Sequence, residues 1–231
     1  MIVLLPLLNS ALAAAPTVDV QLGSDFPLDV GGRVTVEGPY RLRATAAVGW
    51  MPPAYLDTIN AFCTGVGWYD DTTALLIDTA LQNALIARFH LGWRPFPKLG
   101  FQFELGYGFA GLGGGLSGSD AISAVTGEDL PEESDEPYTF LVKAAAHQFD
   151  VTLGWEWTIK RHFLIRADLG GVFTLGAQTD IEPDFEPRPI VEGKIDAAEI
   201  AGEEYINDTL TSYVHSPTIG LMIGWRFGGE K

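Results

Sequence analysis

The sequence predicts an all-β fold, an eight-stranded antiparallel up-and-down transmembrane β-barrel with short helices in its long loops. Three observations favour this fold class. Large apolar side chains alternate with small or polar ones along eight segments, which is the period of a strand with two different faces. Short and long connections alternate along the last six segments. Aromatic residues gather near both ends of the segments.

The stretch Phe101–Ala110 displays the alternation, with five large apolar residues at its odd-numbered positions and polar or small residues between them. Gly106, Gly108 and Gly111 also spell G-x-G-x-x-G. In a dinucleotide-binding turn these glycines follow a strand and open a helix. Here more glycines follow Gly111, and glycine disfavours a helix. We therefore interpret the stretch as a strand and not as a nucleotide site.

The same alternation predicts five further long strands and two shorter ones. The long strands are residues 41–50, 81–93, 149–157, 163–170 and 218–227, and the shorter ones are Thr17–Ser24 and Gly31–Gly38. The short connections are Glu37–Tyr40, Arg94–Gly100 and Thr158–His162, and the long loops are residues 52–73, 112–137 and 178–211. In a meander this order places every long loop at one end of the barrel. Both termini then fall at the end with the short turns.

Residues 1–15 are expected to be an export signal, and residues 16–231 a single barrel domain. Ile2–Leu8 is a short apolar core, and Ala11 and Ala13 occupy the small-residue positions of a cleavage site. No basic segment precedes the core, which suggests that the start of the signal is truncated. The alternative is a buried N-terminal helix. Cys63 is the only cysteine, so no internal disulfide can form.

The aromatic residues form two groups, as the two interfaces of a membrane favour. A soluble sandwich would turn such faces inward and its charges outward, whereas strands that cross lipid must close into a barrel and face it with apolar side chains. The group beside the short turns and the C-terminus is Trp93, Phe101, Trp155, Trp157, Phe163, Trp225 and Phe227. The group toward the long loops is Trp50, Phe109, Phe140, Phe173 and Tyr213.

This pattern resembles the small outer-membrane β-barrels of Gram-negative bacteria, with the OmpA/OmpX/OmpW-like architecture. The last strand, "IGLMIGWRF", also resembles the C-terminal signal read by the barrel-assembly machinery, although "GGEK" follows Phe227. The resemblance implies a monomer in the cell outer membrane, in contact with its lipids and lipopolysaccharide. A soluble β-sandwich or lipocalin-like barrel is the alternative fold.

The net charge of −16 is distributed unevenly. The three long loops carry 20 of the 30 acidic residues and only two of the 14 basic ones, Arg188 and Lys194. The short turns are basic, with Arg94, Lys98, Lys160 and Arg161. This field excludes nucleic acid as a partner of the loops. Divalent cations suit oxygen clusters, but a charge run is more often a solvated surface, so no defined metal site and no cofactor are expected.

Two loop segments have apolar residues at helical spacing and are expected to form short helices over the barrel mouth. In the first loop these are Leu56, Ile59, Cys63 and Val66, after Pro52 and Pro53, which suit a helix start. In the third loop they are Ile206, Leu210, Tyr213 and Val214.

The opposite face of the strands carries charges of both signs, which we predict to line the lumen. Since charges removed from water must pair and eight strands leave a narrow interior, we interpret them as an internal salt-bridge network that fills the lumen. The alternative is a narrow polar pore or a site for a small solute. The predicted set is Arg41, Arg43, Gln82, Arg88, His90, Glu104, Asp150, Glu156, Arg166, Asp168 and Arg226.

Catalysis is not expected. His147, His162 and His215 lie near strand ends, but none has a serine and an acid at triad spacing, and the sequence has no G-x-S-x-G. Two functional classes remain open from the sequence: a structural barrel that acts through its acidic loops, and a narrow channel or transporter for small solutes.

Overall fold

The computed structural model describes residues 16–68, 74, 78, 84–117, 139–183, 192–213 and 215–229. Eight antiparallel strands form a closed barrel in which each strand pairs with its neighbours in sequence and β1 pairs with β8. This confirms the fold class that the alternation predicted. The strands are β1 Thr17–Phe26, β2 Asp29–Glu37, β3 Leu42–Trp50, β4 Leu85–Phe96, β5 Phe101–Ser117, β6 Thr139–Ile159, β7 Phe163–Pro183 and β8 His215–Gly228.

Two α-helices are described along their length, α1 Pro53–Gly65 and α2 Glu192–Tyr213, and both lie between strands. No helix in the described part of the chain is long and apolar enough to cross a membrane. Residues 1–15, where an export signal was expected, lie outside the described residues.

The seam between β1 and β8 closes the barrel along the full length of β1, from Thr17 opposite Gly228 to Phe26 opposite Ile219. Closure pairs the backbone N–H and C=O groups of both edge strands, so no sheet edge is left there. The connections β2–β3, β4–β5 and β6–β7 are short and lie at the same end as the start of β1 and the end of β8. We call this the turn end, and the opposite end the loop end.

The turn between β6 and β7 consists of Lys160, Arg161 and His162, and the first two have φ values of 49° and 71°. Two consecutive left-handed residues are typical of a type I′ turn, whose twist matches that of the flanking strands. Lys160 and Arg161, two of the basic residues expected in the short turns, therefore lie on a tight hairpin.

Several strands differ in length from what the alternation predicted. The largest difference is in β6, which spans Thr139–Ile159 instead of 149–157. β5 continues to Ser117 and β7 to Pro183, so that the loops expected at 112–137 and 178–211 start later. The glycine-rich residues after Gly111 read as a loop because glycine has low strand propensity, yet they pair in register with β6. β4 begins at Leu85, and residues 81–83 of the strand predicted at 81–93 lie outside the described residues.

A bulge in β7 explains why the alternation failed there. The register against β6 shifts between His147 and Gln148, so that Leu175 has no partner between Thr174 and Gly176. The extra residue moves the inward face from even-numbered to odd-numbered positions. Ala177 and Ile181 consequently pack on the apolar core inside the barrel mouth.

Candidate functional site: the barrel lumen

The two faces of the barrel wall are reversed relative to a soluble protein. Along β5 the large residues Phe103, Tyr107 and Phe109 point outward and remain 36–49% exposed, whereas Gln102 and Glu104 point inward and are at most 1% exposed. The other strands follow the same division. An apolar surface that continues from strand to strand is rare on soluble monomers, which argues against the lipocalin-like alternative.

A network of ion pairs fills the lumen from the turn end to the level at which Arg88 lies on β4. We define the lumen network as fifteen described side chains, of which eight are carboxylates, six are guanidinium groups and one is an imidazole. Its members are Asp19, Asp25, Asp29, Arg33, Glu37, Arg43, Arg88, His90, Arg94, Glu104, Asp150, Glu156, Arg166, Asp168 and Arg226.

The part nearest the turn end centres on Glu156. Its carboxylate accepts hydrogen bonds from Arg43 at 2.9 Å, from Arg94 at 3.0 Å and from Arg226 at 2.6 Å. Arg226 also donates two hydrogen bonds of 2.7 Å to Asp19. Three strands that are remote in sequence, β3, β4 and β8, thus meet on one carboxylate of β6.

The middle of the network centres on Arg166, which is fully buried. Its terminal nitrogens donate to both oxygens of Glu104 at 3.1 and 2.9 Å, and its Nε donates to Asp168 at 2.8 and 2.9 Å. Asp168 has a second partner in Arg33, at 2.9 Å. Such a two-pronged guanidinium–carboxylate contact is among the stronger charge-assisted interactions in proteins.

The part nearest the loop end links β1, β2 and β4. Arg33 donates to Asp25 at 2.6 Å, and Arg88 donates to Asp25 at 2.5 Å and to Asp29 at 2.6 Å. Together with the middle and the turn end, these contacts form one continuous chain of pairs from Asp29 to Glu37. Since these two residues are the opposite ends of β2, the chain spans roughly 20 Å of a tilted barrel.

Nine of the ten charged residues predicted for the lumen lie on the inward face in the network. Arg41 is different: it lies in the turn between β2 and β3 with a φ of 64°, its side chain is 41% exposed, and it pairs with Glu37 at 3.2 Å. Gln82, named on the same inward face, lies outside the described residues.

Sequence reasoning missed six members of the network: Asp19, Asp25, Asp29, Arg33, Glu37 and Arg94. Five lie on the two shorter strands, whose faces were not assigned, although the alternation in "TVDVQLGSD" and "GGRVTVE" carries the signal. Arg94 was assigned to a basic turn, but it is 6% exposed. It follows His90 by an even number of residues on β4 and therefore points inward as His90 does. A stricter use of the two-residue period would have found all of them except Asp25 and Asp29, which flank a turn.

The glycines of the G-x-G-x-x-G stretch have a packing role in β5. A Cβ on Gly106 would collide with the imidazole ring of His90, which lies across the β5 backbone with its Nε2 3.1 Å from Asp150. Gly111 has only ordinary contacts around its position. Gly106 therefore leaves space for the side chain of His90 in the lumen. Because β5 continues to Ser117, no helix that could bind a phosphate follows Gly111 directly.

Several buried polar atoms of the lumen have no hydrogen-bond partner within the described part of the chain. Both amide atoms of Gln21 and of Gln102 are in this state, as are Oε1 of Gln148 and Nδ1 of His90. Buried polar groups of this kind are commonly satisfied by internal water. The lumen is thus densely ion-paired but also provides sites that favour water.

The lumen becomes apolar toward the loop end within one row of the sheet. Arg88, Gly108 and Gln148 form one row across β4, β5 and β6, and Ile86, Ala110 and Ala146 form the next. This second row belongs to a cluster, extending toward the loop end, that we call the apolar cap. It consists of Leu28, Met51, Leu56, Ala84, Ile86, Ala110, Leu112, Val142, Ala144, Ala146, Val172, Ile181, Ile206 and Leu210.

Both helices contribute to the apolar cap, in agreement with the expectation that loop helices cover the barrel mouth. Leu56 of α1 is 0% exposed, and Ile206 and Leu210 of α2 are 4% and 1% exposed. Cys63 is also buried. Ile59 is only partly buried and Val66 is 50% exposed, so these two predicted residues do not join that face. Val214 and the side chain of Tyr213 lie outside the described part of the structure.

Polar contacts hold α2 against the extended part of β7. Thr179 donates to the side-chain oxygen of Asn207 at 2.9 Å, and the backbone N–H of Ile181 donates to Glu203 at 3.1 Å. Glu203 and Asn207 are four residues apart and therefore lie on one side of the helix. This side is adjacent to that of Ile206 and Leu210, so α2 is fixed across the mouth.

The predicted aromatic residues lie on the outward face near the two ends of the barrel. Those at the turn end are exposed to between 36% and 53% of their surface, except Phe101, which is half-buried against Trp155. Trp50 lies at the loop end of β3. Phe109 and Phe173 lie in the middle of the longer strands β5 and β7, level with the loop ends of β4 and β8. The side chain of Phe140 lies outside the described residues. The exposed members at the turn end are Trp93, Trp155, Trp157, Phe163, Trp225 and Phe227.

The histidines do not form a hydrolase triad among the described residues. His147 contacts the hydroxyl of Tyr107, Nδ1 of His215 accepts the backbone N–H of Thr174, and His162 contacts the backbone oxygen of Arg226. His90 contacts the carboxylate of Asp150, but no described serine joins that pair. Within the described ranges, no cluster of three or more His, Cys, Asp or Glu side chains has a metal-binding arrangement.

No family model and no curated protein sequence matches the chain. Among solved structures it is similar to the N-terminal β-barrel domain of OprF from Pseudomonas aeruginosa, with 10% identity, a TM-score of 0.39, and coverage of 92% of this chain and 97% of that one. It is also similar to a major outer membrane protein from Thermus thermophilus, with 13% identity, a TM-score of 0.48, and coverage of 93% and 100%. With TM-scores below 0.5, neither similarity bears on function.

Proposed function

We propose that this chain is an outer-membrane β-barrel with a sealed, charge-paired lumen, which acts as a structural element or through its loop-end surface. The outward face supports the membrane location. From Ile219 to Phe227, the outward residues of β8 are all apolar and 48–64% exposed. For a strand tilted by about 40°, this run is about 20 Å high, close to the apolar band of known membrane barrels.

The two ends of the barrel support an orientation. The turn end and both termini face the periplasm, and the acidic loops face the outside. There they meet lipopolysaccharide, with divalent cations between the acidic residues and the phosphate groups of the lipid. The last strand, which ends at Phe227 on the outward face, is the segment that the assembly machinery would recognise.

The observation that carries the sealed lumen is the pairing of its arginines. Each of the six arginines of the lumen network lies within 4.0 Å of at least two carboxylates. A solute crossing the lumen would have to separate such pairs, which leaves charges without compensation in a narrow interior. It would also have to displace the apolar cap. A chain of bridges that is continuous along the lumen favours a filled barrel over a conducting one.

A narrow channel for small solutes is the second candidate. The unpartnered amides of Gln21 and Gln102 favour it, since they provide uncharged groups that water or a small solute could contact. Both side chains are fully buried in the lumen.

Single-channel recording of the refolded mature chain in a planar bilayer distinguishes the two candidates. The folding control is an SDS gel of heated and unheated samples. A folded barrel migrates differently in the unheated sample than in the heated one. A folded but silent barrel is the expected result. Discrete and reproducible openings would contradict the sealed lumen. The variant Glu104→Ala sharpens the comparison, because a filled lumen loses thermal stability when this partner of Arg166 is removed, whereas a pore changes ion selectivity and remains folded.

A further inference from the structure

Helix α1 has an apolar face that the apolar cap does not use. Tyr55, Ile59, Phe62 and Val66 follow each other at spacings of four, three and four residues, so they lie in one narrow stripe along the helix. Leu56 and Cys63, the buried residues of α1, lie about a quarter turn away. Phe62 and Val66 are 59% and 50% exposed. We call this stripe, together with Trp68, the rim face.

Tyr55 determines where the rim face points. Its hydroxyl lies 2.6 Å from the hydroxyl of Ser24, and its ring packs edge-on against Phe26 with centroids 5.0 Å apart. Ser24 and Phe26 belong to the outward face of β1, and Phe26 is 39% exposed. The next residue, Leu56, is buried in the apolar cap inside the mouth. The helix therefore crosses the rim of the barrel, and its Tyr55 side overhangs the outer wall.

The end of α1 holds a second aromatic residue on the same side. Gly67, with a φ of 74°, donates to the carbonyl oxygen of Thr64 at 3.1 Å, and Trp68 donates to that of Cys63 at 2.9 Å. These two bonds form a Schellman motif, in which a contact between Trp68 and the last turn is common. The Trp68 ring meets Phe62 edge-on at 5.8 Å. The contact positions the pair, yet Trp68 remains 67% exposed.

The opposite side of α1 is polar. Asp57, Asn60 and Thr64 lie between about 120° and 180° around the helix from the middle of the rim face. The helix contains no basic residue. An amphipathic helix with aromatic residues on its apolar side is typical of segments that lie in a membrane interface, and tryptophan and tyrosine prefer that depth.

We propose that the rim face inserts into the boundary between headgroups and acyl chains of the membrane around the barrel, and so anchors α1 to the lipid on the loop side. This inference rests on the membrane location proposed above. Lipid is the occupant because the rim face continues the outward apolar surface of the wall through the contact of Tyr55 with Phe26. The consequence is that lipid binding at the rim and closure of the lumen by Leu56 act through one helix.

The test places a fluorophore at single positions of the folded chain in phospholipid nanodiscs. In a Cys63→Ala background, the variants Phe62→Cys, Val66→Cys, Ala61→Cys and Leu221→Cys are labelled with a nitrobenzoxadiazole dye. The nanodiscs contain phosphatidylcholine with or without a nitroxide near the headgroup end of the acyl chain, and iodide serves as the quencher in water. Ala61 is exposed on another side of α1 and is the matched control, and Leu221 is 61% exposed on the wall of β8.

The expected result is that the nitroxide lipid quenches positions 62, 66 and 221 at least threefold more than position 61, whereas iodide quenches position 61 most. If positions 62 and 66 behave like position 61 while position 221 is quenched by lipid, the inference is overturned and the membrane location stands. If position 221 is not quenched by lipid, the membrane location itself fails. Protection of positions 62 and 66 from both quenchers would indicate that protein, from this chain or a second copy of it, covers the rim face, and would also overturn the inference. Val66 has a smaller side chain than Phe62, so its replacement by cysteine removes fewer contacts. The variant Val66→Cys therefore keeps the test valid if Phe62→Cys does not fold.

Discussion

Replacement of Arg166 by methionine tests whether the lumen network is a dry, paired interior. Methionine keeps much of the length of the side chain and removes its charge and its donors. Arg166 is fully buried and donates four hydrogen bonds to Glu104 and Asp168. Without Arg166, the two carboxylates differ in how close their remaining arginine partner is. Asp168 keeps Arg33 at 2.9 Å, whereas Glu104 keeps only Arg43, whose Nε is 3.7 Å away.

The size of the effect follows from these partners. Hydrogen bonds to charged groups contribute about 1.5–3 kcal/mol each, but four bonds from one side chain to two carboxylates are not additive. Removing one partner of a buried pair typically costs about 3–5 kcal/mol because an uncompensated charge remains. Since Glu104 is the carboxylate that this substitution leaves without a close partner, we expect a loss of about 3–5 kcal/mol in the free energy of unfolding.

The assay is urea unfolding in detergent micelles, followed by tryptophan fluorescence, for Arg166→Met, Glu104→Gln and the double variant. Because the double variant leaves no unpaired charge at this position, we expect it to be less destabilised than the sum of the single variants by about 2 kcal/mol. The matched control is Lys143→Met. Lys143 and Glu182 form an ion pair of 2.8 Å, as short as the buried ones, but both side chains are more than half exposed.

An exposed pair contributes at most about 1 kcal/mol, so the control should remain close to the wild-type chain. The reasoning would be refuted if Arg166→Met lost no more stability than Lys143→Met. Equal losses would mean that water screens the lumen as it screens the surface. In that case the network would not seal the barrel, and the narrow channel would become the better interpretation.

Two further substitutions test the packing of the lumen and of the mouth, each with a control in the same element and measured by the same unfolding assay. Gly106→Ala should destabilise the barrel by about 1–3 kcal/mol because its Cβ collides with the ring of His90, whereas Gly111→Ala should change stability by no more than about 0.5 kcal/mol; equal effects would contradict the packing role of Gly106. Leu210→Ala should cost about 2–5 kcal/mol because the side chain is 1% exposed in the apolar cap, while Ile200→Ala, 67% exposed on the same helix, should be near neutral. A neutral Leu210→Ala would show that α2 does not stabilise the closed mouth.

The lumen network shows which properties can be predicted from the two-residue period of the strands. An alternating segment reveals which residues share a face, and this was sufficient to assign Arg88, Glu104 and Arg166 to the lumen. It does not reveal which of them meet. Arg33 pairs with Asp168, 135 positions away, because strand register around the barrel and the closure of β1 on β8 bring them together.

The upper part of β7 shows where the period misleads. One extra residue at Leu175 inverts the faces of the strand beyond it. Residues from 178 onward, which were predicted to start a loop, therefore continue the strand on which α2 packs. The glycine-rich end of β5 was misread for a related reason. Its strand conformation comes from pairing with β6 and not from local propensity.

The sequence by itself determined the number of strands, their order, the side of the wall that is apolar and the helical segments of two loops. These properties depend on residues close together in the chain, where a period of two or of 3.6 is visible. The tertiary structure alone decided the partners within the lumen, the change from a charged to an apolar interior below the mouth, and the direction of the rim face. These depend on barrel closure, strand register and one bulge, which place residues from all eight strands and two helices in contact and leave no local pattern in the chain.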